Sequence, residues 1–155
     1  YKTAIVAKKD LTSLFGIKRP RITICGLNPH AGEQGTLGSE DITIIKPVIS
    51  RLLSEGINVT GPLPADSVFH KSARSEYDCV IGMYHDQVLP VVKALDFMNT
   101  VNITLGLDFI RTSPDHGTAY DIAGKNRADS NSLVAAIEYA KKLSNTSLNR
   151  VTTGE

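Results

Sequence analysis

The sequence predicts an α/β fold, a sandwich of strands and helices. Short β-branched runs alternate with stretches whose apolar residues recur at helical spacing, and polar corners follow the runs. The chain has 155 residues, 41% of them hydrophobic and 21% charged, which is enough for one domain with a buried core and unlike a disordered composition.

Residues 3–15 place Ala4, Ile5, Leu11, Leu14 and Phe15 at helical spacing, and Gly16 closes the pattern. Beyond Pro20, "RITICGL" reads as a buried strand. Ser39 is the expected N-cap of a helix running to about Glu55, with Glu40 and Asp41 in its first turn and Gly56 beyond its end. Pro47 must either kink that helix or mark its true first turn. "INVTGPLPAD" is a second strand entering a proline-rich corner, and "DCVIGMY" is a third. "HDQVLPVVKAL" has helical spacing despite Pro90. "TVNITLGL" is a fourth strand, and "DFIRTSPDHGTAYDIAGK" reads as a polar loop holding a short helix. Asp129 or Ser130 caps a final helix with apolar positions at Leu133, Ala136, Ile137, Ala140 and Leu143, and a frayed polar tail is expected from Ser144. No repeat, linker or low-complexity segment is present.

Seventeen basic residues against sixteen acidic ones leave a net charge of +1. Such a balance offers no field for nucleic acid or an anionic membrane, so any anion recognition must be local. No apolar run approaches the roughly 20 residues of a membrane span, and no secretory signal is visible. Cys25 and Cys79 each lie in a strand-like run, which favours buried thiols in a reducing cytoplasm over a disulfide. The chain opens on Tyr1, without methionine, in a pattern that reads as a helix already under way. A piece of a larger protein is the expectation.

Ligands of open α/β sheets gather at the carboxyl ends of strands. Three polar clusters follow strand-like runs, at residues 28–33, 84–87 and 111–119, and are expected on one rim. His30 and His85 could supply two imidazoles to a divalent ion, or be hydrogen-bonded loop residues. Asp86 could orient the neighbouring imidazole or favour a helix N-terminus. Arg111 interrupts the apolar stretch "LDFIRTS", where a cation is costly unless it meets an anion. Lys93, eight residues past His85, would share its helix face and either meet an anion or face solvent. Asn102 lies in a β-branched stretch, where a buried amide would need partners. Glu33 either bonds locally or faces solvent, and His70 reads as surface. No GxGxxG is present, but the glycine-bearing 115–125 loop could still receive phosphate or adenine through backbone N–H groups.

Taken in order, "LNPHAGEQGTLGSED", "GPLPADSVFH", "MYHDQVLPVVK" and "VNITLGLDFIRTSPDHGTAYDIAGK" resemble the 4-hydroxythreonine-4-phosphate dehydrogenase family of vitamin B6 biosynthesis, over residues 14–143. The resemblance implies a three-layer sandwich of the isocitrate/isopropylmalate dehydrogenase-like group, here one C-terminal lobe of a two-lobed enzyme about twice as long. It implies NAD- or NADP-dependent oxidation of a phosphorylated hydroxy amino acid at its 3-hydroxyl, followed by decarboxylation. One divalent ion (zinc, magnesium or cobalt) would serve both steps as a Lewis acid. His30 and His85 would hold that ion, its third histidine lying in the preceding half. Lys93, Asn102 and Arg111 would contact the phosphorylated substrate, and Asp86 is a candidate for taking the hydroxyl proton. His116, Gly117 and Asp121 would lie on the cofactor side, since "DHGTAYDIAGK" is similar to the cofactor loop of the β-decarboxylating dehydrogenases. A cytoplasmic homodimer with shared active sites is also implied. A paralogue acting on phosphorylated threonate or erythronate would share these residues, and the chain alone could be a non-catalytic metal- or phosphate-binding lobe.

Overall fold

Strand β1 (Ile22–Cys25) is buried at all four positions, as an apolar run must be when elements cover both of its faces. Around it the computed structural model describes residues 1–153, with side chains through residue 146. The order is α1 (Lys2–Ser13), β1, α2 (Lys46–Ser54), β2 (Val59–Leu63), β3 (Cys79–Ile81), α3 (Leu89–Leu95), β4 (Val101–Thr104), β5 (Arg111–Pro114) and α4 (Asn131–Thr153), with short 3₁₀ and π turns between.

β1 lies between β2 and β3, parallel to both, and the order is β2-β1-β3. Ile22 and Ile24 point to one face. There they pack with Ala4, Ala7 and Leu11 of α1 and Ile49 and Leu52 of α2, forming the principal core. Thr23 points to the other face, where Val68 and Tyr77 of the irregular stretch before β3 line a cavity with it. Val80 of β3 shares that second face and lines a further cavity with Leu89, Val92 and Leu95 of α3. At the amino end of the sheet, Arg21 Nη2 meets Asp78 Oδ1 at 2.9 Å and the Arg21 N–H donates to Asp78 Oδ2 at 2.8 Å.

The expectation of a single rim needs correction. β4 does not join the parallel sheet. It pairs antiparallel with β5, and the two form a separate sheet. β5 falls inside the stretch read as a polar loop, because its sequence, Arg-Thr-Ser-Pro, has little apolar character for a strand. α4 packs against this pair, and Thr112 Oγ1 donates to the Ala136 carbonyl at 2.9 Å. The Asp10 carboxylate of α1 accepts the Gly106 N–H at 2.6 Å and so links the helical layer to the turn after β4.

Other boundaries moved for local reasons. Ser39 does not cap through its hydroxyl; its carbonyl accepts Ile42 and Thr43 N–H groups, and a π turn (Asp41–Ile45) precedes α2. Pro47 then lies in the first turn of α2, directly after the π turn. Pro90 likewise lies in the first turn of α3. Asp129 caps α4 as expected, accepting the Asn131 N–H at 2.8 Å. Ala136 and Leu143 of α4 are buried, but Leu133 and Ile137 are half exposed. α4 continues to Thr153, past the tail expected to fray from Ser144. The two cysteines are free thiols; burial raises the pKa of each.

Candidate active site

Adjacent parallel strands deliver two of the polar clusters to one edge. β1 ends into the His30 loop and β3 ends into the His85 turn, with Ile24 opposite Ile81 in the last rung between them.

The His30 loop leaves its strand by an unusual path. His30, Ala31, Gly32, Glu33 and Gln34 all have positive φ, between 40° and 78°. Only one of the five is a glycine, and each of the others costs about 1 kcal/mol in that conformation. The surrounding structure offsets this strain. The fully buried Asp41 carboxyl accepts the Leu27 N–H at 2.9 Å and the Asn28 N–H at 3.2 Å. A Cβ on Gly26 would stand 2.7 Å from the Ala31 Cα, so the glycine is required where the loop folds back. Asn28 Nδ2 donates to Glu40 Oε2 at 2.8 Å. Glu40's own N–H and that amide hold its carboxyl below the usual range. The path leaves His30 and Glu33 at the surface, which settles Glu33 as solvent-facing. His30 lines a small cavity of about 220 Å³ with Asn28, Asp66, Tyr84 and Gln87.

His85 lies in a 3₁₀ turn (His85–Gln87) and is largely exposed. Its Nδ1 is 2.8 Å from Asp86 Oδ1, a contact that leaves Nε2 as the ring nitrogen open to a ligand. The two histidine loops are brought to one edge, and the two rings remain in solvent. Among the described residues no group of three or more His, Cys, Asp or Glu side chains could hold a metal ion. The donor chemistry of two imidazoles fits a divalent ion in kind, and is short of the usual three ligands in number.

Lys93 does not share a helical face with His85, because Val88 (φ −122°) breaks the helix between them. Its ammonium lies 3.6 Å from Asp115 Oδ2 and 5.7 Å from the Phe97 ring centroid, so it is not simply a solvated side chain. Asn102 is exposed, contrary to the expected buried amide, and Arg111 is also exposed, so neither carries a burial cost. Their register is informative. Asn102 pairs with Ser113 and Thr104 with Arg111, so all four share one face of the β4–β5 pair, with Thr112 and α4 on the other. Arg111 Nη1 donates to Thr104 Oγ1 at 2.7 Å. Asn102 and Asp115 line one cavity of about 470 Å³.

The largest of the cavities described, about 860 Å³, is lined by neither His30 nor His85. His116 and Gly117 line it with Phe97, Met98 and Arg127, whereas Asp121 is not in its wall. Gly117 has open space where a Cβ would be. Sequence reasoning missed Asp41 and Gln87 as loop anchors, and Asp66 and Asp115 as cavity residues. Asp41 was legible only as a first-turn acid, and no local pattern marks the other three.

Residues 1–140 match the family model described as "Pyridoxal phosphate biosynthetic protein PdxA". The chain is 56% identical over 142 residues to a 4-hydroxythreonine-4-phosphate dehydrogenase of Xanthobacter autotrophicus, covering 92% of this chain and 41% of that protein. Its fold is similar to the crystal structure of 4-hydroxythreonine-4-phosphate dehydrogenase from Klebsiella pneumoniae, with a TM-score of 0.80 and 47% identity over 90% of this chain and 42% of the other. A terephthalate 1,2-cis-dihydrodiol dehydrogenase from Burkholderia xenovorans is also similar, with a TM-score of 0.70 and 35% identity over 91% of this chain and 44% of that one. The chain thus spans about two fifths of the length of its relatives. With a family model matched over most of its residues and a relative more than half identical, this chain belongs to the PdxA family of pyridoxal phosphate biosynthetic proteins.

Proposed function

We propose that this chain supplies the C-terminal, metal- and phosphate-binding portion of an NAD- or NADP-dependent dehydrogenase. The enzyme would oxidise 4-phosphohydroxy-L-threonine at its 3-hydroxyl and release CO₂, leaving 3-amino-2-oxopropyl phosphate for pyridoxal 5′-phosphate synthesis. The observation that supports this best is the delivery of His30 and His85 to one edge by adjacent parallel strands, in a chain of this family.

His30 and His85 would hold one divalent ion with a third ligand from outside the described residues. When bound, the ion would contribute Lewis acidity and the nicotinamide an oxidant. Asp86 would keep the His85 ring turned with Nε2 outward through its Oδ1 contact, and its second oxygen is the candidate acceptor for the hydroxyl proton. Asn102 and Arg111, on one exposed face of the β4–β5 pair, would bind the phosphate, and Lys93 would join them from α3. Fixing that end aligns the reacting C–H bond with the cofactor. His116 and Gly117, in the wall of the largest cavity, would lie on the cofactor side, with Asp121 nearby in the same loop. A cytoplasmic homodimer sharing its active sites belongs to the same reading.

A second reading has an observation behind it. The dihydrodiol dehydrogenase relative bears a name without a phosphorylated substrate, so the shared fold admits other substrates. A substrate panel decides between them. In the complete two-lobed enzyme, reduction of NAD or NADP should be seen with the phosphorylated hydroxythreonine and be lost in Arg111→Ala. Equal turnover of phosphorylated threonate or erythronate, or of an unphosphorylated diol, would overturn the assignment. Metal analysis of the wild type beside His85→Ala tests the ligand pair independently.

A further inference from the structure

The two histidine loops part at a fork. The β1–β3 ladder ends at Ile24 and Ile81, and beyond it one chain heads for His30 and the other for His85. Gln87 sits in that fork, only 9% exposed. Its Nε2 donates to the Gly26 carbonyl at 2.8 Å, across 61 residues of sequence. Its Oε1 accepts the Met83 N–H, also at 2.8 Å. The side-chain amide therefore presents one donor and one acceptor, as a peptide group does, and fills the rung that the separating strands cannot make. Its partners fix its orientation, since a turned amide would set donor against donor and acceptor against acceptor. Its backbone N–H closes the same turn on the Tyr84 carbonyl at 3.2 Å.

We propose that Gln87 is a positioning residue for the paired histidines, and that its amide sets the separation of the two loops and hence the geometry in which both imidazoles reach one cation. This inference rests on the metal reading above. Both anchor points lie close to a histidine, Gly26 four residues before His30 and Met83 two before His85. Buried and uncharged, Gln87 acts on backbone at both ends. The far side of the same corner is held separately, by Asp41 on the Leu27 and Asn28 N–H groups. Gln87 thus makes a hydrogen bond that ties one histidine loop to the other.

The test is Co²⁺ titration of the purified protein, read by affinity and by the visible bands of the bound ion. Gln87→Met keeps the side-chain volume and drops both hydrogen bonds. It should weaken Co²⁺ binding by about 10- to 100-fold, the range for groups that orient metal ligands, and alter the bands. His30→Ala added to Gln87→Met should cost much less than His30→Ala does alone, because the loop already fails to deliver its ring. Gln87→Asn, an amide one methylene short, should show the same loss and serves if the methionine variant does not fold. Wild-type affinity and bands in either Gln87 variant, with both histidine variants weakened, would overturn the inference while leaving the metal reading intact. Full additivity with His30→Ala would overturn it as well. Unchanged Co²⁺ binding in His30→Ala and His85→Ala would remove the metal reading itself, and this inference with it.

Discussion

Asp41 shows how much one buried side chain carries. Its two oxygens serve consecutive backbone N–H groups where β1 turns into a left-handed loop, and nothing else in the described structure accepts from those two donors. Asp41→Asn replaces one acceptor oxygen with an NH₂ group facing an N–H. The expected loss is about 2–3 kcal/mol, the cost of leaving a buried donor unpaired, read as a shift in the urea unfolding midpoint. An unchanged midpoint would mean that the loop's path is held by something other than this carboxyl. The residue was readable in the sequence as an acid in a helical first turn. Its inward aim was not, because a π turn rotates side chains away from the directions that α-helical spacing predicts.

At the scale of elements, β1 and β3 are pinned at their amino ends by Arg21 and Asp78 and at their carboxyl ends by Gln87. The Arg21 guanidinium and N–H hold the Asp78 carboxyl below the usual carboxylate range. A carboxyl whose pKa is lower folded than unfolded contributes stability that is complete above its unfolded value, about 3.9. That contribution is lost as pH falls through the folded value. Asp78→Asn should therefore lower stability at neutral pH by about 1 kcal/mol, the upper end for a partly exposed pair. It should also flatten the loss of stability below about pH 4. Parallel pH titrations of the unfolding midpoint check both parts, and equal acid slopes would refute the assignment. The strands β1, β2 and β3 were legible because β-branched runs between turn residues have few alternatives. β5 was not, since its place is decided by pairing with β4 and by α4 behind it.

Over the whole molecule, the chain brings two candidate metal ligands to one sheet edge, and two of its substrate-binding candidates, Asn102 and Arg111, to a second, smaller sheet. Neither group is enclosed, and the donor set is incomplete among the described residues. The 155-residue chain alone should bind Co²⁺ more weakly than a full-length relative, by at least tenfold, and should not reduce NAD or NADP with the phosphorylated substrate. Isothermal titration and a cofactor-absorbance assay check the two statements. Turnover by the chain alone would show that its own residues complete the site.

What the sequence by itself determined is local. Alternation of β-branched and helical stretches, the proline placements and the Asp129 cap follow from backbone sterics and short-range hydrogen bonds, and four ordered motifs carry the family. What the tertiary structure decided is which corners meet. The parallel register of β1 and β3 puts the His30 and His85 loops side by side, and the antiparallel β4–β5 register puts Asn102 and Arg111 on one face. Those neighbours are tens of residues apart or on separate strands, and their meeting depends on long-range pairing and packing energies that no window of sequence contains.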